Sequence, residues 1–217
     1  IVYGLKHYAE IPEERLEWHG HNDFNKAVVN SSTAWLYGCS SVSTTLMGIG
    51  ERTGNTPLES MCIEYASLRG NTGGMDLTVI TEIAEYFQKV MKIDIPVRTP
   101  FVGKNFNATK AGIHADGMLK NPEIYNIFDT EKILNRPPGV IIDSFSGLAG
   151  VAFWINNYFG LKEEDKIGKQ SEIVASMKAA IDEEYASGRT ASMSDSELKK
   201  MIKKFDPELY EKLIAEN

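Results

Sequence analysis

Residues 15–59 read RLEWHGHNDFNKAVVNSSTAWLYGCSSVSTTLMGIGERTGNTPLE, and their order decides the fold. Arg15 to His19 predicts a short strand. Asn22 or Asp23 then caps a helix running to Tyr37. Ala27, Val28, Ala34 and Trp35 fall on or near one face of that helix, and Gly38 stands just past its end. Residues 41–47 (SVSTTLM) are rich in β-branched types and predict a second strand. A glycine-bearing loop follows, from Gly48 to Asn55. Thr56-Pro57-Leu58-Glu59 predicts the next helix start, with a capping hydroxyl, a proline in the first turn and a glutamate three residues on. This order is the alternation of a parallel sheet with helices packed outside it.

Outward from this stretch, residues 5–15 read as the end of a helix and a loop. Leu58, Met61, Cys62, Tyr65 and Leu68 give the helix after the glycine loop an apolar face. Beyond Gly70-Asn71-Thr72-Gly73-Gly74 a further helix carries Leu77, Ile80, Ile83, Ala84, Phe87, Val90 and Met91. Two strands cannot make a stable parallel sheet, because both faces and both edges need cover. The remaining strands are expected from a region before Ile1 or from another chain, and an opening of Ile1-Val2-Tyr3 reads as the inside of something longer. Residues 93–110, with Pro96, Pro100 and Gly103, read as a linker crossing the surface. From 111 the pattern becomes helical, with turns at Asn121-Pro122 and Pro137-Pro138-Gly139 and helices over 169–186 and 194–205. The last of these opens on a second capping box, Ser194-Asp195-Ser196-Glu197. Its lysines, Lys199, Lys200, Lys203 and Lys204, read as a solvated face. The expected architecture is an α/β part over 1–92, the linker, and a mostly helical extension over 111–217, mainly α overall.

Composition narrows the function classes. The net charge of −7 and the absence of a basic run interleaved with aromatics argue against a nucleic-acid surface. No apolar run approaches the roughly 18 residues that span a bilayer, and no signal-peptide pattern opens the chain. The two cysteines, Cys39 and Cys62, form no CxxC pair and read as buried packing in a reducing, cytoplasmic setting.

Three segments carry chemistry. His19-Gly20-His21 places two imidazoles on one side of a strand, where both can reach one metal ion, and the intervening glycine leaves room for a ligand. Taken alone, such a pair is more often two packed or surface histidines; the glycine between them and the Asn22-Asp23 that follows change that. Gly48-Ile49-Gly50-Glu51-Arg52-Thr53-Gly54-Asn55 follows the second strand directly. Its glycines let the backbone approach a bulky ligand, and its N–H groups at a helix start suit phosphate or carboxylate oxygens. Glu51, Arg52 and Asn55 add an acceptor, a fixed cation and a neutral oxygen ligand. The third segment, Lys110-Ala111-Gly112-Ile113-His114-Ala115-Asp116-Gly117, brings His114 near Asp116 and Tyr125 in sequence.

Together these segments resemble the family of 2-isopropylmalate, homocitrate, citramalate and Re-type citrate synthases, which are TIM-barrel enzymes with a helical C-terminal extension. His19-Gly20-His21-Asn22-Asp23 matches the family's H-x-H-N-D on barrel strand seven. Gly48 to Asn55 matches G-x-G-E-R-x-G-N after strand eight, and Gly112-Ile113-His114 matches G-I-H in the extension. The wording at Trp18 to Phe24 and at Thr33 to Gly38 looks closer to the Re-type citrate synthases. The resemblance implies that residues 1–92 are the last two βα units of a TIM barrel.

It also implies a divalent-metal-dependent Claisen condensation of acetyl-CoA with a 2-oxo acid, followed by thioester hydrolysis. His19, His21 and Asn55 would hold the metal (Mn, Mg, Zn or Co). Asn22, Gly48, Gly50 and Arg52 would border substrate and acetyl-CoA. Glu51, His114 and Tyr125 would be catalytic, the latter two in proton transfer and reaching a neighbouring subunit's barrel, so a homodimer or higher oligomer is expected. The family's strand-one motif D-x-x-x-R-[DE], source of a further metal ligand and an arginine, does not occur in these residues, so the chain alone is expected to be inactive. Nor do these residues include the β-rich leucine-sensing domain of common bacterial isopropylmalate synthases, an absence that reads either as another truncation or as a family member without leucine feedback. Two other readings remain: a metal-dependent aldolase or lyase of the same barrel superfamily, opposed by the extension with His114, and a non-catalytic interaction domain, opposed by the intact histidine pair and glycine loop.

Overall fold

The computed structural model describes residues 1–110, 114, 117–118, 121, 123 and 125–215. The chain divides into two compact units, Ile1–Lys104 and Asn105–Asn217.

In the first unit, α1 (Val2–His7) precedes β1 (Glu17–His19), α2 (Ala27–Leu36) and β2 (Ser41–Ser43). The two strands pair in parallel, with Glu17 opposite Ser41, Trp18 opposite Val42 and His19 opposite Ser43. A parallel pair needs a crossover, and α2 is that crossover. It ends as its sequence predicts, at Tyr37 followed by Gly38 with φ +100°. Its start differs. The helix begins at Ala27, and Asn22 Oδ1 accepts the Ala27 N–H from five residues upstream at 3.2 Å, across a turn that includes left-handed Asn25. The second strand is also shorter than expected. After Ser43 the chain turns through Leu46–Gly48, where Met47 is left-handed at φ 53°, ψ 23°.

The helix α3 (Leu58–Arg69) starts where expected but not by the expected cap. No side chain caps it. Thr56 is fully buried and its hydroxyl lies 2.8 Å from Ser31 Oγ on α2, tying two helices together. Glu59 turns away from the helix start and accepts the N–H of Met47 at 3.0 Å. Met61 on this helix is buried, while Leu58 and Leu68 stay exposed. Helix α4 (Val79–Lys89) packs Ala84 with Ile80 and Phe87 against Ile95 and Val102. Residues 93–104 therefore belong to the first unit. Their prolines suggested a surface linker, but Ile95 and Val102 are 5% and 4% exposed.

In the second unit, β3 (Ala108–Thr109) and β4 (Gly139–Val140) form a short parallel pair. The helices are α5 (Thr130–Leu134), α6 (Leu148–Tyr158), α7 (Glu172–Ala186), α8 (Asp195–Phe205) and α9 (Pro207–Ala215). Val151, Ile155, Val174, Met177, Ile181 and Ile202 form the fully buried centre of one continuous core. The capping box of α8 is present in both directions, Ser194 to the Glu197 N–H and Glu197 to the Ser194 N–H. The lysine face of α8 is not wholly given to solvent. Lys199 lies over the Tyr158 ring and Lys203 over the Tyr210 ring, each 5.4 Å from the centroid.

Helices dominate both units, as the sequence predicts. The first unit has only small apolar clusters, one around Val2, Leu16, Ala34 and Cys39 and one around Ala84, Ile95 and Val102. Both cysteines are unpaired, and burial pushes both thiols above their usual range. No helix among the described residues is long and apolar enough to cross a membrane.

Candidate functional site

The site lies where β1 ends. His19 is its last residue and His21 follows one residue beyond. Their Nε2 atoms lie 3.3 Å apart, with the rings steeply inclined at 72°. Two nitrogens that each sit about 2.0–2.1 Å from one ion are separated by roughly 3.0–3.4 Å in tetrahedral or octahedral geometry. The observed spacing fits a pair sharing one ion, and it is equally that of a hydrogen bond between the two rings. Gly20 has another task than the expected one. A Cβ there would stand 2.8 Å from Trp18 Nε1, so the glycine makes room for the indole.

The glycine loop comes back to this point. His21 and Asn55 form an antiparallel bridge, and the Asn22 N–H donates to the Gly54 carbonyl at 3.0 Å. Asn55 Oδ1 is buried and has no hydrogen-bond partner among the described residues; the same holds for His21 Nδ1. A buried, unpaired amide oxygen is costly unless something else meets it. The glycines are what place Asn55 there. A Cβ at Gly50 would stand 2.7 Å from the Asn55 side-chain carbon and nitrogen, and one at Gly48 would meet the Asn55 carbonyl at 2.9 Å. Gly48 and Gly54 are left-handed, at φ +65° and +93°, and the Asn55 N–H donates to the Gly48 carbonyl at 2.9 Å.

The remaining expected site residues fall into place as follows. Arg52 is held by Asp23 through two bonds of 2.9 Å, from Nε and Nη2, and Thr53 Oγ1 adds a third at 3.3 Å. The guanidinium holds the Asp23 carboxyl below its usual range, and the carboxylate raises Arg52 in turn. Arg52 thus ties the glycine loop to the turn after β1, a link that nothing in their separation of 29 residues signals. Asn22 gives its side chain to the start of α2. Glu51 is exposed, and its carbonyl accepts the Gly54 N–H at 2.9 Å. In the second unit, the rings of His114 and Tyr125 lie 4.7 Å apart and both residues are exposed. Gly117 allows this, since a Cβ there would meet Tyr125 Cε2 at 2.7 Å. Ala111, Gly112, Ile113, Ala115 and Asp116, the rest of that segment after Lys110, lie outside the described residues.

The donor set is two imidazole nitrogens and one amide oxygen. Among the described residues no group of three or more His, Cys, Asp or Glu could hold a metal. The residues present suit a borderline divalent ion with further positions to be filled.

Residues 3–87 match the HMGL-like family. The chain is 56% identical to a citrate (Re)-synthase of Clostridium kluyveri over 212 residues, covering 98% of this chain and 47% of that protein. It is 50% identical to a citrate (Re)-synthase of Syntrophus aciditrophicus over 202 residues, 93% of this chain and 32% of the relative. It is 34% identical to a 2-isopropylmalate synthase of Acetivibrio thermocellus over 140 residues, 63% of this chain and 27% of that protein. The chain spans about half the length, or less, of these curated relatives. With the histidine pair and the glycine loop in one site, and with these similarities, the chain belongs to the family of the Re-citrate, 2-isopropylmalate and homocitrate synthases.

Proposed function

We propose that this chain supplies the metal-binding end of an acyltransferase that condenses acetyl-CoA with a 2-oxo acid. In this reading residues 1–92 form the last two βα units of a TIM barrel, 93–104 pack onto them within the same unit, and 111–217 are its helical extension. The observation that carries the reading is the 3.3 Å separation of His19 and His21 Nε2, with Asn55 bridged to His21 and its Oδ1 unpartnered among the described residues. The names of the two most similar relatives described above favour oxaloacetate, which would make the product citrate.

His19, His21 and Asn55 would hold the divalent ion, Mn²⁺, Mg²⁺, Zn²⁺ or Co²⁺. Such an ion supplies Lewis-acid polarisation of the keto oxygen and compensates its developing charge. Loop N–H groups other than those of Gly48, Ile49, Gly54 and Asn55, which donate within the turn, would bind carboxylate or thioester oxygens, and Gly48 and Gly50 keep that approach open. Arg52, tied to Asp23, and Asn22, tied to Ala27, fix the loop and turn that border the substrate. Glu51 is free to accept a proton at the rim. His114 and Tyr125 form a proton-transfer pair for the acetyl methyl group and the new hydroxyl, acting on the barrel of a neighbouring subunit in a cytoplasmic homodimer or higher oligomer.

The test compares the 217-residue chain with a full-length protein carrying the complete barrel. The chain alone should release no CoA from acetyl-CoA with oxaloacetate, 2-oxoglutarate, 2-oxoisovalerate or pyruvate, even with added Mn²⁺, Mg²⁺ or Co²⁺. The full-length protein should release CoA with one of them, oxaloacetate first, and His21→Ala should abolish it. CoA release by the isolated chain would show that the catalytic groups are misplaced. An active His21→Ala enzyme with unchanged metal dependence would sink the metal assignment.

A further inference from the structure

Glu59 is an unusual residue for its place. It is 5% exposed, it pairs with no cation among the ion pairs described, and it borders a largely apolar cavity of about 230 Å³ with Met47, Leu58, Cys62, Leu77 and Ile80, where Asp76 is the other carboxylate. Burial pushes its carboxyl above the usual range, with its own backbone N–H and then the Met47 N–H acting against that shift. A carboxylate in such surroundings is costly unless it is hydrogen-bonded. Its partners are backbone groups, its own N–H and the Met47 N–H, the latter at 3.0 Å.

Met47 itself is strained. It is left-handed at φ 53°, a conformation that a long side chain seldom takes. It is followed by left-handed Gly48, so two successive residues reverse the chain between β2 and the glycine loop. Gly48 then meets Asn55 in two ways. Its carbonyl accepts the Asn55 N–H, and its Cα faces the Asn55 carbonyl. Two contacts and the peptide bond between them therefore link the carboxylate to the backbone of Asn55: Glu59 to Met47, Met47 to Gly48 along the chain, Gly48 to Asn55.

We propose that Glu59 is a positioning residue: its carboxylate holds the left-handed turn at Met47 and thereby sets Asn55 beside His19 and His21. The proposal deepens the reading of the site as a divalent-metal centre and rests on it. Glu59 touches neither substrate nor metal. Its contribution is a fixed peptide orientation, of the kind that outer groups give to metal ligands.

The test uses the full-length protein and Mn²⁺ alone, with affinity read from the paramagnetic signal of free Mn²⁺ and the contact read from amide hydrogen exchange at Met47. Glu59→Gln keeps an acceptor oxygen and should bind Mn²⁺ as the parent does. Glu59→Ala should lose about ten- to hundred-fold in affinity, the usual effect of removing an outer partner, and should speed exchange at Met47. If Glu59→Ala does not fold, Glu59→Met fills the same volume without an acceptor and carries the same expectation. In a Met47→Gly background, where the left-handed turn needs no support, removing the carboxylate should cost less than in the parent. Equal losses in both backgrounds would overturn the proposal. So would parent-like Mn²⁺ binding by Glu59→Ala while His21→Ala has lost it, and that pattern leaves the metal reading intact. Parent-like binding by His21→Ala would overturn both.

Discussion

At Gly54 an added Cβ would lie 2.2 Å from the Gly48 carbonyl oxygen, on a backbone already at φ +93°. Gly50 differs, because the nearest atoms to its Cβ would be those of the Asn55 side chain. The two substitutions should therefore separate. Gly54→Ala strains the backbone and should cost about 1–3 kcal/mol, visible as a lower urea midpoint. Gly50→Ala displaces a side chain that can rotate, so it should leave unfolding nearly unchanged and lower Mn²⁺ affinity about tenfold or more. Equal effects on unfolding would show that the Gly50 contact is as rigid as the Gly54 one. The same neighbourhood shows what residues reveal in a sequence. The convergence of His19 and His21 was legible because the strand period of two is a local rule. The Asp23–Arg52 pair, the indole behind Gly20 and the bond from Glu59 to Met47 were not, because each depends on how distant segments fold against one another.

Among the elements, the boundaries were harder to read than the helices themselves. Thr56-Pro57-Leu58-Glu59 has the spacing of a capping box, yet tertiary contacts claim both side chains, Thr56 for Ser31 and Glu59 for Met47. Ser194-Asp195-Ser196-Glu197 has no such competitor and caps as its spacing predicts. Arg189 strengthens that second box, donating to both Glu197 oxygens at 2.8 and 2.9 Å. Arg189 and the Ser194 groups hold the Glu197 carboxyl down at about 2, against 4.5 for an unperturbed glutamate. A carboxyl lowered by folding stabilises fully above its unfolded pKa and loses that contribution as pH falls through its folded one. Part of the second unit's stability should thus drain away between about pH 4.5 and pH 2. Solvent screening limits the effect to about 1 kcal/mol at most. Urea unfolding at pH 5 and pH 3 should show a smaller drop for Glu197→Gln than for the parent. An equal drop would assign the acid sensitivity to other carboxylates.

For the whole molecule, the decisive feature is the two-stranded parallel sheet of the first unit. Among the described residues β1 and β2 pair only with each other, so each leaves one edge unpaired. Sheets of this kind are normally covered on both faces and continued at both edges. Around them Phe24, Val29, Leu36 and Tyr37 are 53% or more exposed, and the unit's apolar clusters are small. The second unit, by contrast, closes around one large core. The sequence foretold this imbalance, since it showed strand-and-helix alternation for two repeats and no more. The isolated chain should therefore self-associate through the first unit, because open edges and apolar patches are ready templates for pairing. Sedimentation at micromolar concentration should show species larger than one chain. Lysine at Val42, the centre of β2 paired with Trp18, should disrupt the sheet and change that distribution. A change at Ile202, buried in the second unit's core, should lower the melting temperature without restoring a monomer. A single monodisperse monomer would mean that the first unit satisfies its own edges, and the reading of residues 1–92 as two repeats of a larger barrel would lose its physical basis.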